Sequence, residues 1–154
     1  EEVALVIGEK ARYVKLENAQ NYVFGYCIVN DVSERSWQKD RGGQWIKGKS
    51  LAGNCGPYLV TKNEIKDINN LNLSLSVNDE TRQNGNTSHM IFNFNYLISH
   101  ISQFMTLYPG TIITTGTPAG TAMEMEKPKF LKEGDKINIK IDCLGEQIHK
   151  VINE

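Results

Sequence analysis

Cysteine is scarce in this sequence of 154 residues, and long apolar runs are lacking. The three cysteines, Cys27, Cys55 and Cys143, are odd in number and lie far apart, without Cys-x-x-Cys spacing. This pattern argues against a disulfide framework and against a zinc site, and it predicts reduced thiols in a cytoplasmic protein. No stretch approaches the roughly 20 apolar residues of a membrane-spanning helix, so we expect no membrane partner.

An excess of charge of either sign is also lacking, because the formal net charge is −1 and the basic residues are spread along the chain. Binding to nucleic acid depends on clustered Lys and Arg side chains that neutralise phosphates, so we expect no nucleic-acid partner. A chain of this length fits one globular domain. The sequence therefore favours a small-molecule ligand.

Strand patterns outnumber helix patterns and do not alternate with them. Apolar residues recur at intervals of three and four from Met90 to Met105, behind Thr87-Ser88 and ahead of Pro109-Gly110, which predicts one long helix. The composition of the remaining chain predicts a mixed β-rich fold of the α+β class. Runs of β-branched and apolar residues bounded by turn residues predict strands at 3–7, 25–30, 73–78, 111–115, 136–142 and 147–152.

A carboxylate followed closely by cationic and amide side chains forms the first candidate site. Asp31 ends the predicted strand at 25–30, and if Ser33 caps a short helix, Arg35 and Gln38 lie three residues apart on one helix face. Lys49, between Gly48 and Ser50, can add a second positive charge. Without context an Asn-Asp pair is usually a turn, and the cations could be surface charges. Together they match a site for a metal and a small acid.

The run Thr-Gly-Thr-Pro-Ala-Gly at 115–120 forms the second candidate site. Glycine and proline alone would justify a simple turn. A strand that leads into such a turn also exposes backbone N–H groups and the Thr117 hydroxyl, which together can hold a carboxylate.

These motifs occur in a fixed order, with Asn-Thr-Ser-His-Met-Ile-Phe at 86–92 between them, and the set resembles the fumarylacetoacetate hydrolase family, C-terminal catalytic domain. The sequences of these motifs are most similar to those of the bacterial branch of 2,4-dioxo-acid hydrolases and ureidoglycolate lyases. The resemblance implies a β-sandwich roll with one long flanking helix. It also implies self-association, as a homodimer. The helix at 90–105 is apolar on more than one side, which fits a partner subunit, although a wholly internal position would explain the same pattern.

The resemblance also implies a metal site. The family carries a Glu-x-Glu pair in its first strand, and alignment on Ala4 and Gly8 matches Glu2 to the second Glu. Glu1 would face the opposite side, and the first Glu would precede residue 1. We therefore expect Glu2 and Asp31 to hold Mg²⁺, with Ca²⁺ or Mn²⁺ as substitutes. Residues 1–154 are then a single catalytic-domain fragment, with the general base upstream.

The implied activity is that of a metal-dependent hydrolase or lyase on a 2-oxo or 2,4-dioxo acid. The metal would chelate the keto acid and stabilise an enolate. Arg35, Gln38, Lys49 and Thr117 would bind the substrate, and Lys49 and Arg35 would also be catalytic. The alternative is a non-catalytic module of the same fold that binds a small acid or serves assembly.

Overall fold

The computed structural model describes residues 1–39, 42, 48 and 54–153, and these contain two four-stranded antiparallel sheets around one apolar core. The first sheet has the strand order β3-β2-β1-β6, and the second has the order β5-β4-β7-β8. The predicted β-rich sandwich is therefore confirmed. The strands are β1 (Glu2–Ile7), β2 (Val23–Asn30), β3 (Asn54–Thr61), β4 (Asn72–Val77), β5 (Glu80–Asn86), β6 (Ile112–Thr114), β7 (Lys136–Ile141) and β8 (Gly145–Lys150).

The core lies between the two sheets because alternate residues of their strands face each other. Val3, Leu5 and Ile7 of β1 belong to the same buried cluster as Ile137 and Ile139 of β7. On the outer face of the first sheet, alternate residues of β1 and β2 form a second, smaller cluster. Its members are Ala4, Val6, Cys27 and Val29. Both faces of β1 are therefore buried, although only one face belongs to the main core.

One long helix flanks the sandwich, as predicted, but it is shorter than the sequence suggests. Helix α2 is the segment Phe94–Phe104, whereas residues Thr87–His89 form a separate 3₁₀ turn. The Asn93 side chain accepts the Tyr96 backbone N–H at 2.9 Å and so caps the first turn of the helix. The predicted start at Met90 and the Thr87-Ser88 cap are therefore wrong. No helix in the described part of the chain is long and apolar enough to cross a membrane.

The six predicted strands are all present, but β3 and β5 were not predicted. Strand β5 is mostly polar and contains a glycine, so it lacks the alternating pattern of a half-buried strand. It pairs with β4 through a tight turn in which Asn78 and Asp79 have positive φ angles of 49° and 66°. Two such residues fit the type I′ hairpin turn. The turn residues therefore carried the only local signal for β5.

Candidate metal and substrate site

Two carboxylates meet on the outer face of the first sheet. Glu2 of β1 pairs with Val29 of β2, and Asp31 lies two residues beyond Val29, so both acidic side chains belong to the same face. Glu2 is only 5% exposed, and its carboxyl is within hydrogen-bonding reach of Asp31. The structure thus brings together the two residues that the sequence nominated as metal ligands.

The environment of this pair disfavours two negative charges. Burial raises the pKa of Glu2 most strongly, and the charge of Asp31 raises it further. The backbone N–H of Gly116 donates to Glu2 Oε2 at 2.9 Å and partly opposes this rise. A shared cation would relieve the repulsion, and two carboxylate oxygens are donors that fit Mg²⁺, Mn²⁺ or Ca²⁺.

The described residues supply only part of a ligand set for such a cation. Among residues 1–39, 42, 48 and 54–153, no three His, Cys, Asp or Glu side chains are grouped so as to hold a metal ion. Alternation along β1 places Glu1 with Val3 and Leu5, on the face opposite Glu2. Glu1 is buried, and burial raises the pKa of its carboxyl. The pair of Glu2 and Asp31 would need further ligands.

The short helix α1 (Arg35–Lys39) follows Asp31 and holds two predicted substrate residues. The Glu34 carboxylate accepts the Trp37 backbone N–H at 2.6 Å, so Glu34 rather than Ser33 caps this helix. The Ser33 hydroxyl instead donates to the Asp31 carbonyl at 3.4 Å. The predicted cap is therefore wrong by one residue, but the helix that it anticipated is present.

The predicted neighbours Arg35 and Gln38 contact each other. The Arg35 guanidinium donates to Gln38 Oε1 at 2.6 Å. Gln38 is 3% exposed, and its buried Nε2 has no hydrogen-bond partner in the described structure. A buried amide donor without a partner is costly, so it is well placed to bind an acceptor atom of a ligand.

Gly48 packs directly on this helix. A Cβ atom at Gly48 would lie 2.5 Å from the Gln38 Cβ, so this position accepts only glycine without rearrangement. The Gly48 carbonyl also accepts the Glu34 backbone N–H at 2.9 Å. Lys49 is outside the described residues, but its chain neighbour lies against the helix that carries Arg35 and Gln38.

The loop at 115–120 is fastened to the start of β1. The Thr115 hydroxyl donates to the Val3 carbonyl at 2.7 Å, and the Thr117 hydroxyl donates to the Glu1 carbonyl at 3.0 Å. Because the Gly116 N–H binds Glu2, one donor of the predicted carboxylate nest is already used. Thr117 therefore follows directly after Gly116, whose N–H binds the Glu2 carboxylate.

A buried glutamine that sequence reasoning missed supports this loop. Gln83 of β5 is 5% exposed, and its Nε2 donates to Thr117 Oγ1 at 2.8 Å and to the Pro118 carbonyl at 2.7 Å. The chain approaches β5 again at Gly120, whose φ is +107° and where a Cβ would lie 1.9 Å from the Arg82 carbonyl oxygen. No local motif marks Gln83, because its partners lie far away in sequence, in the loop after β6 and just before β1.

Comparison with known proteins identifies the family and the fold of this chain. The sequence model of the fumarylacetoacetate (FAA) hydrolase C-terminal family matches residues 1–152, which is nearly the whole chain. The chain belongs to this family. Solved structures of fumarylacetoacetate hydrolase relatives also share its fold. The enzyme from Exiguobacterium antarcticum is 38% identical with a TM-score of 0.93, and the match covers 99% of this chain and 55% of that one.

Other relatives carry more specific names. Maleylpyruvate hydrolase from Sphingobium sp. SYK-6, solved in complex with manganese(II) ion and pyruvate, is 33% identical with a TM-score of 0.84 over 98% of this chain and 52% of that one. The mitochondrial oxaloacetate tautomerase Fahd2a of Rattus norvegicus is 46% identical over 153 residues, or 98% of this chain and 49% of the relative. The chain thus spans about half the length of these relatives.

In this member of the fumarylacetoacetate hydrolase family, the thiol beside the carboxylate face is unreactive. Burial, together with the neighbouring Cys55, raises the pKa of Cys27 to about 11. Since the thiolate is the nucleophile, Cys27 stays protonated and inert near neutral pH. Cys27, Cys55 and Cys143 are all free thiols. Burial and a raised pKa therefore disfavour Cys27 as a nucleophile.

Proposed function

We propose that this chain carries the metal and substrate site of a divalent-metal-dependent hydrolase or lyase that acts on a 2-oxo or 2,4-dioxo acid. The observation that carries the proposal is the buried Glu2 carboxyl, which lies within hydrogen-bonding reach of Asp31 and accepts the Gly116 N–H. A buried carboxyl whose pKa is raised by burial and by a neighbouring carboxylate, as in Glu2, is typical of functional sites. The names of the maleylpyruvate hydrolase and the oxaloacetate tautomerase point to the same class of substrate.

Glu2 and Asp31 would hold Mg²⁺, with Mn²⁺ or Ca²⁺ as substitutes. When bound, such an ion polarises the keto and carboxylate oxygens of a 2-oxo acid and favours its enolate form. We propose that residues 1–154 are a single catalytic-domain fragment, and that a further carboxylate ligand and the general base come from outside them. The base would decide whether hydrolysis, lysis, decarboxylation or tautomerisation follows.

The substrate carboxylate would be held by four side chains of this chain. Arg35 and Lys49 supply positive charge, Gln38 supplies its buried Nε2, and Thr117 supplies a hydroxyl. Arg35 and Lys49 would also act catalytically, because charge that develops on the substrate during the reaction would be stabilised by the same cations. The free thiols fit a reducing, cytoplasmic compartment.

An assay of the full-length parent protein tests this proposal. The substrates are acylpyruvates, 2,4-dioxo acids, oxaloacetate and ureidoglycolate, each with EDTA and then with Mg²⁺, Mn²⁺ or Ca²⁺. We expect turnover of at least one keto acid that EDTA abolishes and a divalent ion restores. Turnover that persists after exhaustive chelation would contradict the metal role.

The competing proposal is a non-catalytic module that binds a small acid. The incomplete set of ligands among the described residues favours it. Calorimetry of the same protein with Mg²⁺ and pyruvate distinguishes the two: binding without turnover of any substrate in the panel favours the module.

We also propose that the protein forms a homodimer. The ring of Phe92, just before α2, and the rings of Tyr96, His100 and Phe104 in α2 form a continuous row, with successive centroids 4.6, 5.6 and 5.1 Å apart. Phe92 and Phe104 are 51% and 72% exposed, so a wholly internal position does not explain these aromatics. A second copy would cover this surface.

Light scattering at micromolar concentration should give a dimeric mass for the full-length protein, and Phe104→Ser should shift it toward monomer. A monomer in both cases would contradict the proposal.

A further inference from the structure

The orientation of the Gln83 amide group is fixed because one of its neighbours can only accept a hydrogen bond and another can only donate one. The Pro118 carbonyl can only accept a hydrogen bond, and it lies 2.7 Å from Gln83 Nε2. The main-chain nitrogen of Glu1 donates to Gln83 Oε1 at 2.9 Å. Both amide protons of Gln83 therefore point to the 115–120 loop, one to Pro118 and the other to Thr117 Oγ1 at 2.8 Å.

This arrangement determines what the Thr117 hydroxyl can offer. Its oxygen accepts the Gln83 amide N–H at 2.8 Å, so the side of the hydroxyl that faces Gln83 acts as an acceptor. What remains is the hydroxyl proton, which donates to the Glu1 carbonyl at 3.0 Å. Thr117 is exposed, so an anion that approaches from solvent can compete for that proton.

We propose that Gln83 is a positioning residue that fixes the Thr117 hydroxyl as a hydrogen-bond donor for the anionic end of the substrate. This inference rests on the proposed function, because it gives Thr117 a substrate carboxylate to bind. Without the Gln83 amide, nothing would keep the hydroxyl proton from turning toward residue 83, and a lone pair could then face the substrate. An anion would then meet repulsion where it now meets a donor.

The second sheet offers a matched control in Gln147. Pairing across the sheet places Gln83, Leu75, Ile139 and Gln147 in one row. Gln147 is 8% exposed, and its Nε2 also crosses to the first sheet, where it donates to the Gly56 carbonyl at 2.7 Å. It thus shares the burial and the cross-sheet bond of Gln83 but does not contact Thr117 in the described structure. A purely structural role would make the two glutamines equivalent.

The experiment measures kcat and KM of the full-length protein with the best keto acid of the panel. The single variants are Gln83→Met, Gln83→Glu, Gln147→Met and Thr117→Val. Each of the three glutamine changes is also combined with Thr117→Val. Gln83→Met should raise KM several-fold, and Gln83→Glu should raise it about tenfold or more, because a carboxylate would draw the Thr117 proton inward. In the Thr117→Val background, either Gln83 change should add less than about twofold, since its target is gone. Gln147→Met should act independently of Thr117→Val. Equal Gln83 effects in both backgrounds would overturn the inference.

A readout that needs no turnover separates this inference from the proposed function. Hydrogen exchange of the loop amides at 115–120 should become faster in Gln83→Met and remain unchanged in Gln147→Met. If the unmodified protein turns over none of the keto acids, the proposed function fails, and the exchange result alone then decides whether Gln83 positions the loop. Unchanged loop exchange in Gln83→Met would overturn the inference in either case.

Discussion

The carboxylates of the candidate site and those of the turns are arranged in opposite ways. Glu2 is buried beside Asp31, and its pKa is raised by burial and by the neighbouring negative charge. Asp135, in the turn before β7, accepts the Lys132 N–H at 3.0 Å and the Asn78 side-chain amide at 2.8 Å. These donors, led by the Lys132 N–H, lower the pKa of Asp135. The same chemical group is thus disfavoured as an anion in one region and favoured in the other.

The second arrangement stabilises the fold, whereas the first opposes it. Glu124, for example, accepts the backbone N–H groups of Gly120 and Thr121, each at 2.8 Å, and these bonds lower its pKa. Such caps hold turns together by satisfying backbone donors. The pair of Glu2 and Asp31 has the like-charge proximity that a ligand would relieve. A site that lowers stability in the absence of its ligand is the pattern expected of function.

The change expected to break this contrast most strongly is Glu2→Gln in the full-length protein. It keeps the size of the side chain and removes one charge, so metal-dependent turnover should fall by at least about 100-fold, since even residues that only support a metal ligand matter by 10–100-fold. In EDTA the melting temperature should stay equal or rise, because burial and repulsion no longer act on residue 2. The exposed Glu9→Gln serves as the control. A large loss of thermal stability in EDTA would assign Glu2 a structural role instead.

The next largest effect is expected for Arg35→Ala and Lys49→Ala. Each removes a cation that would hold the substrate carboxylate, so kcat/KM should fall about 10- to 100-fold, as expected for a lost hydrogen bond to a charged group. Thermal stability should change little. Arg35→Lys keeps the charge but not the planar fork that contacts Gln38, so it should restore only part of the activity. Normal turnover in either alanine variant would remove that residue from the site.

The local part of the site could be predicted from the sequence because its members are close in the chain. Arg35 and Gln38 are three residues apart on one helix, and their contact at 2.6 Å follows from helical periodicity. The cap was wrong because Ser33 and Glu34 are both plausible acceptors, and spacing alone does not choose between them. The juxtaposition of Glu2 and Asp31 came from the family resemblance, and the register of β1 on β2 explains it.

The support of the site could not be predicted, because it depends on contacts between sheets. Gln83 and Thr117 are 34 residues apart; Gln83 lies in β5 of the second sheet, and Thr117 lies in the loop after β6 of the first sheet. Strand β5 is too polar to predict, and its course follows from pairing with β4 rather than from its own composition. The start of α2 was placed too early because the apolar spacing continues back to Met90, whereas the Asn93 N-cap makes the helix begin at Phe94.

The smallest effect, and the sharpest test of the contrast, concerns Asp135. Because the folded-state pKa of this carboxyl is lowered, its contribution to stability is fully present above the unfolded pKa of about 4 and is lost as pH falls through the folded value. Asp135→Asn should therefore lower the melting temperature slightly at pH 7, and the difference from the unmodified protein should shrink below about pH 4. The exposed Glu126→Gln removes one charge elsewhere and should show no such convergence. If the difference in melting temperature between Asp135→Asn and the unmodified protein stays constant from pH 7 to pH 3, the charge of Asp135 does not stabilise the turn. The contrast between a stabilising Asp135 and a destabilising Glu2 would then be wrong.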